Sequence, residues 1–139
     1  VIVLTMILVY TQHYYYYLYP PFPENFGIYY NSTFSFDTEN NIYRSCRGQE
    51  YRIELNKKEK GEIYDAIIEN DFFNLKNDVT DVTSGIQIGF MHTIILEVTA
   101  EQKKYKVDSR QIPSFSTDAK KFDKISDIIN SILFHKTCP

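Results

Sequence analysis

Three histidines are the residues of this chain best suited to act as general bases or metal ligands near neutral pH. They are His13, His92 and His135, and none has a carboxylate or a second histidine at ligand spacing. His135 falls near the end of a predicted helix, where a protonated imidazole interacts favourably with the helix C-terminus. We therefore predict structural or exposed histidines and no metal site built from them.

Oxygen ligands are concentrated in residues 78–85, which include Asp78, Thr80, Asp81, Thr83 and Ser84. Oxygens of this kind suit Ca²⁺, but the spacing and the bidentate glutamate of an EF-hand are missing from this stretch. A solvated connector is therefore the prediction for residues 78–85.

The sequence lacks the motifs of a nucleophilic serine and of a phosphate-binding loop. Ser45 beside Cys46, and Ser84 beside Gly85, do not form a G-x-S-x-G turn, and no Gly-rich loop ends in Lys-Ser or Lys-Thr. We predict a protein that is not an enzyme, needs no cofactor and keeps its role after substitution of any single histidine or serine. A hydrolase stays open as an alternative, because pocket residues can converge from distant parts of a chain.

Two cysteines, Cys46 and Cys138, are present. A disulfide between them would stabilise the fold by up to about 4–5 kcal/mol in the chain-entropy model, and would tie the tail to the early part of the sheet. We predict this bridge, because the N-terminus resembles an export segment. The alternative is a buried strand cysteine and a free terminal cysteine in a reducing compartment.

The first nineteen residues are apolar and aromatic. Residues 1–10 are an uncharged apolar run, and the tyrosines that follow are Tyr14, Tyr15, Tyr16, Tyr17 and Tyr19. Ten apolar residues fit the core of a signal peptide and fall short of the roughly 20 that span a bilayer. Tyrosine rings are favourable at the headgroup level. The segment is predicted to be a signal or membrane anchor, an arm packed on the domain or on a neighbouring subunit, or a remnant without a structural role.

Prolines separate this segment from the rest of the chain. Pro20, Pro21 and Pro23 favour an extended spacer, since proline lacks an N–H donor and has a fixed φ. We therefore predict an N-terminal segment over residues 1–25, with the tyrosines as anchoring or docking residues, and a single domain over residues 26–139. Such a start indicates an extracytoplasmic location, in the periplasm, at the cell surface or secreted.

The charge balance excludes one class of partner. The net charge is −3, from 15 basic and 18 acidic residues, and no run of Lys or Arg exceeds two. Nucleic-acid surfaces need a concentrated basic footprint. We predict a protein partner, a membrane surface or both, and no nucleic acid.

Alternating apolar residues predict five strands. Phe26, Ile28, Tyr30, Phe34 and Phe36 share one parity, so residues 26–37 are predicted to form one long strand with an aromatic face. A polar turn over residues 38–41 leads to a return strand over residues 42–47, and residues 51–55 form a third strand. Residues 94–98 and 105–107 predict a second hairpin, joined by residues 99–102.

Two helices are predicted from capping and periodicity. Asn56 and Glu59 form a variant of the capping box, so a helix is expected from Lys57 to about Glu69, with Phe72, Phe73 and Leu75 closing the core after it. The last helix shows apolar residues at helical spacing from Phe122 to Leu133, with Ser116, Thr117 or Asp118 as the cap. The order β-β-β-α-β-β-α favours an α+β fold, an antiparallel sheet of about five strands with both helices on one face.

This arrangement resembles small bacterial secreted or lipid-anchored domains of unknown function. The resemblance covers residues 26–134 and rests on Tyr51-Arg-Ile-Glu-Leu, on the helix that ends in Asn-Asp-Phe-Phe-Asn-Leu75, and on the Lys104-Tyr-Lys-Val107 strand with a closing amphipathic helix. The chain departs from the lipid-anchored members because it has no lipobox cysteine. The resemblance implies an extracytoplasmic setting and no assigned chemistry.

Two classes of function are therefore preferred over a hydrolase. The first is a non-catalytic extracytoplasmic interaction domain, an accessory subunit of a membrane-associated assembly. The alternative is a small acidic inhibitor or immunity-type protein that covers a basic active site. Its acidic face would be formed by Glu50, Glu54, Glu59, Glu62, Asp65 and Glu69.

Overall fold

A computed structural model describes residues 1–18, 21–79, 93–110 and 116–137. Its elements are α1 (Ile2–Leu18), β1 (Gly27–Asn31), β2 (Ser35–Asp37), β3 (Ile42–Arg44), β4 (Glu50–Arg52), α2 (Lys57–Glu69), a 3₁₀ turn (Phe72–Asn74), β5 (Thr93–Ala100), β6 (Lys103–Arg110) and α3 (Thr117–Thr137). Six antiparallel strands form one sheet in the order β4-β3-β2-β1-β5-β6. The predicted α+β class is confirmed, but the described residues form six strands and three helices, not about five and two.

The predicted long strand over residues 26–37 is wrong, because a tight turn divides it into β1 and β2. The amide of Ser32 donates to the carbonyl of Phe34 at 2.7 Å, and Tyr30 pairs with Phe36 across the hairpin. These two partners lie an even number of residues apart, so the same parity faces the core before and after the turn. The alternation alone therefore could not reveal the reversal.

The next two strands are shorter than predicted. The strand expected over residues 42–47 ends at Arg44, where a turn with Gly48 in the left-handed region (φ 77°) leads into β4. Glu50 of β4 forms an ion pair with Arg44 across this turn. The strand expected over residues 51–55 begins and ends earlier, and Leu55 reaches the core from the segment between β4 and α2.

The second hairpin is confirmed, with a shorter turn than expected. Ala100 pairs with Lys103, so Glu101 and Gln102 alone connect β5 to β6, and Glu101 adopts a left-handed conformation (φ 57°). The side chain of Asn25 binds the backbone of Glu101 twice. It accepts from the amide at 2.7 Å and donates to the carbonyl at 2.5 Å. This contact fastens the start of the domain to the far end of the second hairpin.

Helix α2 has the predicted bounds and the predicted cap. The side chain of Asn56 accepts from the amide of Glu59 at 2.9 Å, and the Glu59 carboxylate accepts from the amide of Asn56 at 2.9 Å. These bonds satisfy two of the backbone donors that a helix start leaves unpaired. The capping box therefore determines locally where α2 begins.

We expect Asn56→Ala to lower the free energy of unfolding by about 1 kcal/mol, because a helix N-cap contributes roughly that amount. The midpoint of urea unfolding measures the change. Asn56→Asp is the matched control, since aspartate is an equally good N-cap residue and should keep the native midpoint. Equal losses in both variants would contradict the capping role.

One core joins the sheet to α2 and α3. Ser116 caps α3 by accepting from the amide of Ala119 at 3.1 Å. The core-facing residues of α3 recur at helical spacing and are fully buried, namely Phe122, Ile125, Ile129 and Leu133. They meet the buried residues of α2 and of the 3₁₀ turn, where Phe72 and Leu75 close the core as predicted. The opposite side chains of β1 and β5, such as Tyr29 and Glu97, lie on a face of the sheet that none of the described elements buries.

Candidate functional site

The first fourteen residues, which include most of helix α1, have exposed side chains. Every apolar or aromatic side chain that the structure describes in this segment, from Val1 to Tyr14, is more than half exposed. Successive residues of a helix project about 100° apart, so Val1, Ile2, Val3 and Leu4 already cover all sides. A helix that is apolar on all sides is normally buried in a large core or in a membrane. Within the described chain, no other element covers these residues.

Polar side chains divide α1 into two ends. Residues 1–9, the apolar end, hold one polar side chain, Thr5, whose hydroxyl donates to the carbonyl of Val1 at 2.9 Å. Residues 10–18, the tyrosine end, hold Thr11, Gln12 and His13. The hydroxyl of Thr11 also donates to helix carbonyls, at 3.0 Å. Both threonine donors are therefore satisfied inside the helix.

The tyrosines predicted to anchor or dock the protein begin on this helix. Tyr14 is exposed and stacks on the tyrosine one turn before it, with ring centroids 6.5 Å apart. Tyr15, Tyr16 and Tyr17 continue α1, and Tyr19 lies outside the described residues. The side chains of residues 1–14 are all exposed. These residues therefore do not form the predicted arm packed on the domain. Within the described chain, no helix is long and apolar enough to cross a membrane.

The predicted disulfide involves one described cysteine. Cys46 is exposed in the turn after β3, which excludes a buried strand cysteine at this position, and Cys138 lies outside the described residues. The bridge therefore stays a prediction. We expect no free thiol in the unfolded, unreduced protein and two after reduction, since the chain has two cysteines. Two free thiols before reduction in protein secreted by its host would contradict the bridge.

The histidines lie far apart in the sequence, and the structure describes few residues of the predicted connector, residues 78–85. His13 is exposed on α1, His135 lies in α3, and His92 is outside the described residues. Most of residues 78–85 is also outside them, while Asp78 forms a parallel bridge with Asp108 at the edge of β6. Among the residues that the structure describes, no group of three or more His, Cys, Asp or Glu could hold a metal ion.

An open groove of about 560 Å³ lies at one end of the sheet, where β1, β2 and β5 meet. Gly27 forms part of its wall, and a Cβ at this position would lie 2.8 Å from the hydroxyl oxygen of Thr38. That hydroxyl accepts from the amide of Ile28 at 2.8 Å. A side chain at Gly27 would therefore displace the contact that holds the end of β2 against β1.

Four carboxylates line this groove, from Glu24, Asp37, Glu39 and Glu97. The two oxygens of Asp37 accept from the amide of Glu39 at 2.9 Å and from the side chain of Asn40 at 2.7 Å, which stabilises the turn after β2. Glu97 forms an ion pair with Lys104 at 3.1 Å. Asp37 and Glu97 thus have structural partners within the domain.

A second groove, of about 530 Å³, runs between α2 and α3. Its acidic residues are Glu62, Asp65 and Glu69 of α2 and Asp127 of α3, and its lining includes one ammonium, from Lys124. The predicted acidic face is thus divided in the structure. Glu50 pairs with Arg44 and Glu59 closes the capping box, so three of its six carboxylates reach this groove.

Two carboxyl groups of this region titrate above the ordinary range. Partial burial, and secondarily the charge of Glu69, raises the pKa of Asp65 above 3.8. Partial burial, and secondarily the charge of Asp127, raises the pKa of Asp123 above the same value. Asp65 lies one helical turn from Glu69, and Asp123 lies one helical turn from Asp127. Like charges at this spacing destabilise a helix slightly.

The raised pKa values predict the direction of a pH effect. A carboxyl group whose folded pKa lies above its unfolded value holds its proton more tightly in the folded state. The contribution of such a carboxyl group to stability is therefore largest when the pH is below its ordinary pKa of 3.8. The contribution is lost as the pH rises through the raised pKa of the folded state. We expect Asp65→Asn to stabilise the protein slightly at neutral pH, with a gain that shrinks as the pH falls towards 3.8.

Urea unfolding of the native protein and the variant at several pH values measures this difference. Glu24→Gln is the control, since it also removes one negative charge but from the groove at the end of the sheet. A gain for Asp65→Asn that did not change with pH, or that matched the control, would contradict the prediction.

A buried polar cluster joins α3 to the centre of the sheet. The hydroxyl of Tyr30, on β1, lies 2.7 Å from the hydroxyl oxygen of Ser126 and donates to the side-chain carbonyl of Asn130 at 3.1 Å. Burial raises the pKa of the Tyr30 phenol. Because these groups satisfy one another within the core, the cluster orients α3 on the sheet and does not form a reactive site.

No protein-family model, no curated protein and no solved structure matches this chain. The resemblance to small bacterial secreted or lipid-anchored domains therefore stays a prediction.

Neither groove was predicted from the sequence, because the residues that line each groove come from separate elements. The acidic groove had one local signal, the like-charged pairs Asp65 with Glu69 and Asp123 with Asp127, each four residues apart. Such pairs predict an acidic stripe on each helix. They do not predict that the two stripes meet.

Proposed function

We propose that the protein is a non-catalytic, extracytoplasmic interaction domain, an accessory subunit that helix α1 docks in a membrane-associated assembly. The observation that supports this proposal is the apolar circumference of residues 1–10, whose apolar and aromatic side chains are all more than half exposed. Covering apolar surface is favourable by about 25 cal/mol per Å², and exposed apolar surfaces of this kind mark interaction sites. The domain that α1 precedes has its own core, so α1 is available for docking.

Phase separation in a mild nonionic detergent tests the docking role of α1. Detergent covers an apolar helix whether its natural cover is lipid or protein. We expect the full chain to enter the detergent-rich phase, and a chain that begins at Asn25 to stay in the aqueous phase as a monomer.

A full-length control keeps the chain intact. Replacing Leu4 and Leu8 together with glutamine should move the protein to the aqueous phase, while circular dichroism shows the native content of sheet and helix. Equal partitioning of the native chain and both altered chains would rule out α1 as the docking element.

The extracytoplasmic location is supported by the export-like apolar run of residues 1–10. Protease treatment of spheroplasts that carry the full chain, with the cytoplasmic membrane intact, tests it. The proposal expects cleavage without lysis of that membrane, and complete protection until the membrane is lysed would contradict it.

A second candidate is the acidic inhibitor or immunity-type protein. The observation that favours it is the acidic groove between α2 and α3, with four carboxylates and one ammonium. Electrostatic complementarity of this kind accelerates association and makes it sensitive to salt. In this case a basic protein should bind the chain without residues 1–23, and Asp65→Lys with Glu69→Lys should slow its association. No observation on the described residues favours a hydrolase.

A further inference from the structure

We infer that α1 docks on a lipid bilayer and inserts into it, with the apolar end deeper than the tyrosine end. This inference rests on the proposed docking role of α1 and names the partner. Three features of the helix carry it: the distribution of its apolar side chains, the order of its two ends, and its charge.

The apolar side chains favour lipid over a protein groove. A groove that receives a helix covers one stripe, and the opposite face of such a helix is polar. The apolar end has no polar stripe, because Val1, Ile2, Val3 and Leu4 project about 100° apart and each is at least 68% exposed. A bilayer surrounds an inserted helix on all sides. The hydroxyl of Thr5 is already bonded within the helix, as hydrocarbon requires.

The order of the two ends matches the layers of a bilayer. Residues 2–9 rise about 12 Å at about 1.5 Å per residue, so they fit within the roughly 30 Å hydrocarbon layer. The tyrosine end follows, with Gln12 and His13 exposed beside Tyr10 and Tyr14. Aromatic rings with polar groups are favoured at the headgroup level. The apolar end therefore lies deeper.

The lack of charged side chains in residues 1–23 predicts which lipids are sufficient for binding. Residues 1–23 contain no Asp, Glu, Lys or Arg, so the charged side chains that give the net charge of −3 all lie in residues 24–139. Proteins that bind membranes through a basic segment need anionic lipid and release it in salt. This protein should bind phosphatidylcholine vesicles at least as tightly as vesicles that also contain phosphatidylglycerol, and added salt should not weaken its binding to phosphatidylcholine.

Single tryptophans measure the depth, because the chain contains none. Leu4→Trp and Tyr14→Trp variants of the full chain, acetylated at the N-terminus to remove the terminal charge, are mixed with vesicles brominated at deep or shallow acyl positions. We expect deep bromines to quench the Leu4→Trp variant most strongly and shallow bromines to quench the Tyr14→Trp variant most strongly. Absence of quenching, or the same depth for both, would overturn the inference.

A matched pair of charges gives a second test. Leu4→Asp and Gln12→Asp each add one negative charge to an exposed position of α1. We expect Leu4→Asp to lower partitioning into phosphatidylcholine vesicles by about 10- to 100-fold, since a charge deep in hydrocarbon is unfavourable. Gln12→Asp, near the headgroups, should lower it by less than about fivefold. Equal effects would contradict the predicted depth order.

The two levels of the proposal fail differently. If α1 carries the protein into the detergent-rich phase but not onto vesicles, the docking role stands and the lipid partner is wrong. If α1 affects neither measurement, both are wrong.

Discussion

Ile67→Asp is expected to leave the domain unfolded, whereas Ile68→Asp, one position further along α2, is expected to fold normally. Ile67 has no exposed surface and lies in the core between α2 and the sheet, while Ile68 is 51% exposed. Truncating a buried isoleucine costs about 2–5 kcal/mol, and a buried unpaired carboxylate adds a further penalty. The sum approaches the whole stability of a domain of this size, about 5–15 kcal/mol.

Far-ultraviolet circular dichroism and thermal unfolding distinguish the two variants. The Ile68→Asp variant should unfold within about 0.5 kcal/mol of the native protein, as exposed substitutions usually do. Ile63→Asp and Ile129→Asp should behave like Ile67→Asp, because both isoleucines are fully buried. A folded Ile67→Asp protein with a cooperative transition near that of Ile68→Asp would contradict the burial of Ile67 between α2 and the sheet.

Tyr30→Phe is expected to lower the free energy of unfolding by about 1–3 kcal/mol, because it removes a buried hydroxyl and leaves its partners without one hydrogen bond. Tyr30 has no exposed surface, and its hydroxyl contacts Ser126 and Asn130 of α3. The substitution keeps the aromatic ring and the volume of the core. The measured loss therefore reports the polar cluster and not packing.

Tyr29→Phe is the matched control, since Tyr29 precedes Tyr30 in β1 and points to the opposite face of the sheet, where it is 38% exposed. We expect a change within about 0.5 kcal/mol for this variant. A double-mutant cycle between Tyr30→Phe and Ser126→Ala measures the coupling, expected at about 0.5–3 kcal/mol. Equal losses for Tyr29→Phe and Tyr30→Phe, or additive losses in the cycle, would contradict the role of the cluster.

Elements whose signals are local were predictable from the sequence. The Asn56–Glu59 capping box determined the start of α2, because both partners lie within one helical turn. The apolar spacing in α3 and the alternation in β5 and β6 predicted their buried faces, since a single element sets each periodicity. The absence of charge from residues 1–23 likewise required no fold to be recognised.

Contacts between distant residues were decided only by the tertiary structure. The turn between β1 and β2 was hidden because the parity of the core residues continues through it. Asn25 meets Glu101, and Tyr30 meets Ser126 and Asn130, although these partners are 76, 96 and 100 residues apart.

The acidic groove between α2 and α3 also depends on contacts between distant residues. Each helix carries its own acidic stripe in the sequence, but only the packing of α2 against α3 brings Asp65, Glu69 and Asp127 to one groove. The sequence by itself determined the class of fold, the boundaries of α2 and an N-terminal segment without charged side chains. The tertiary structure decided which side chains meet, because helix caps and strand alternation act over a few residues, whereas grooves and polar clusters require separate elements to pack together.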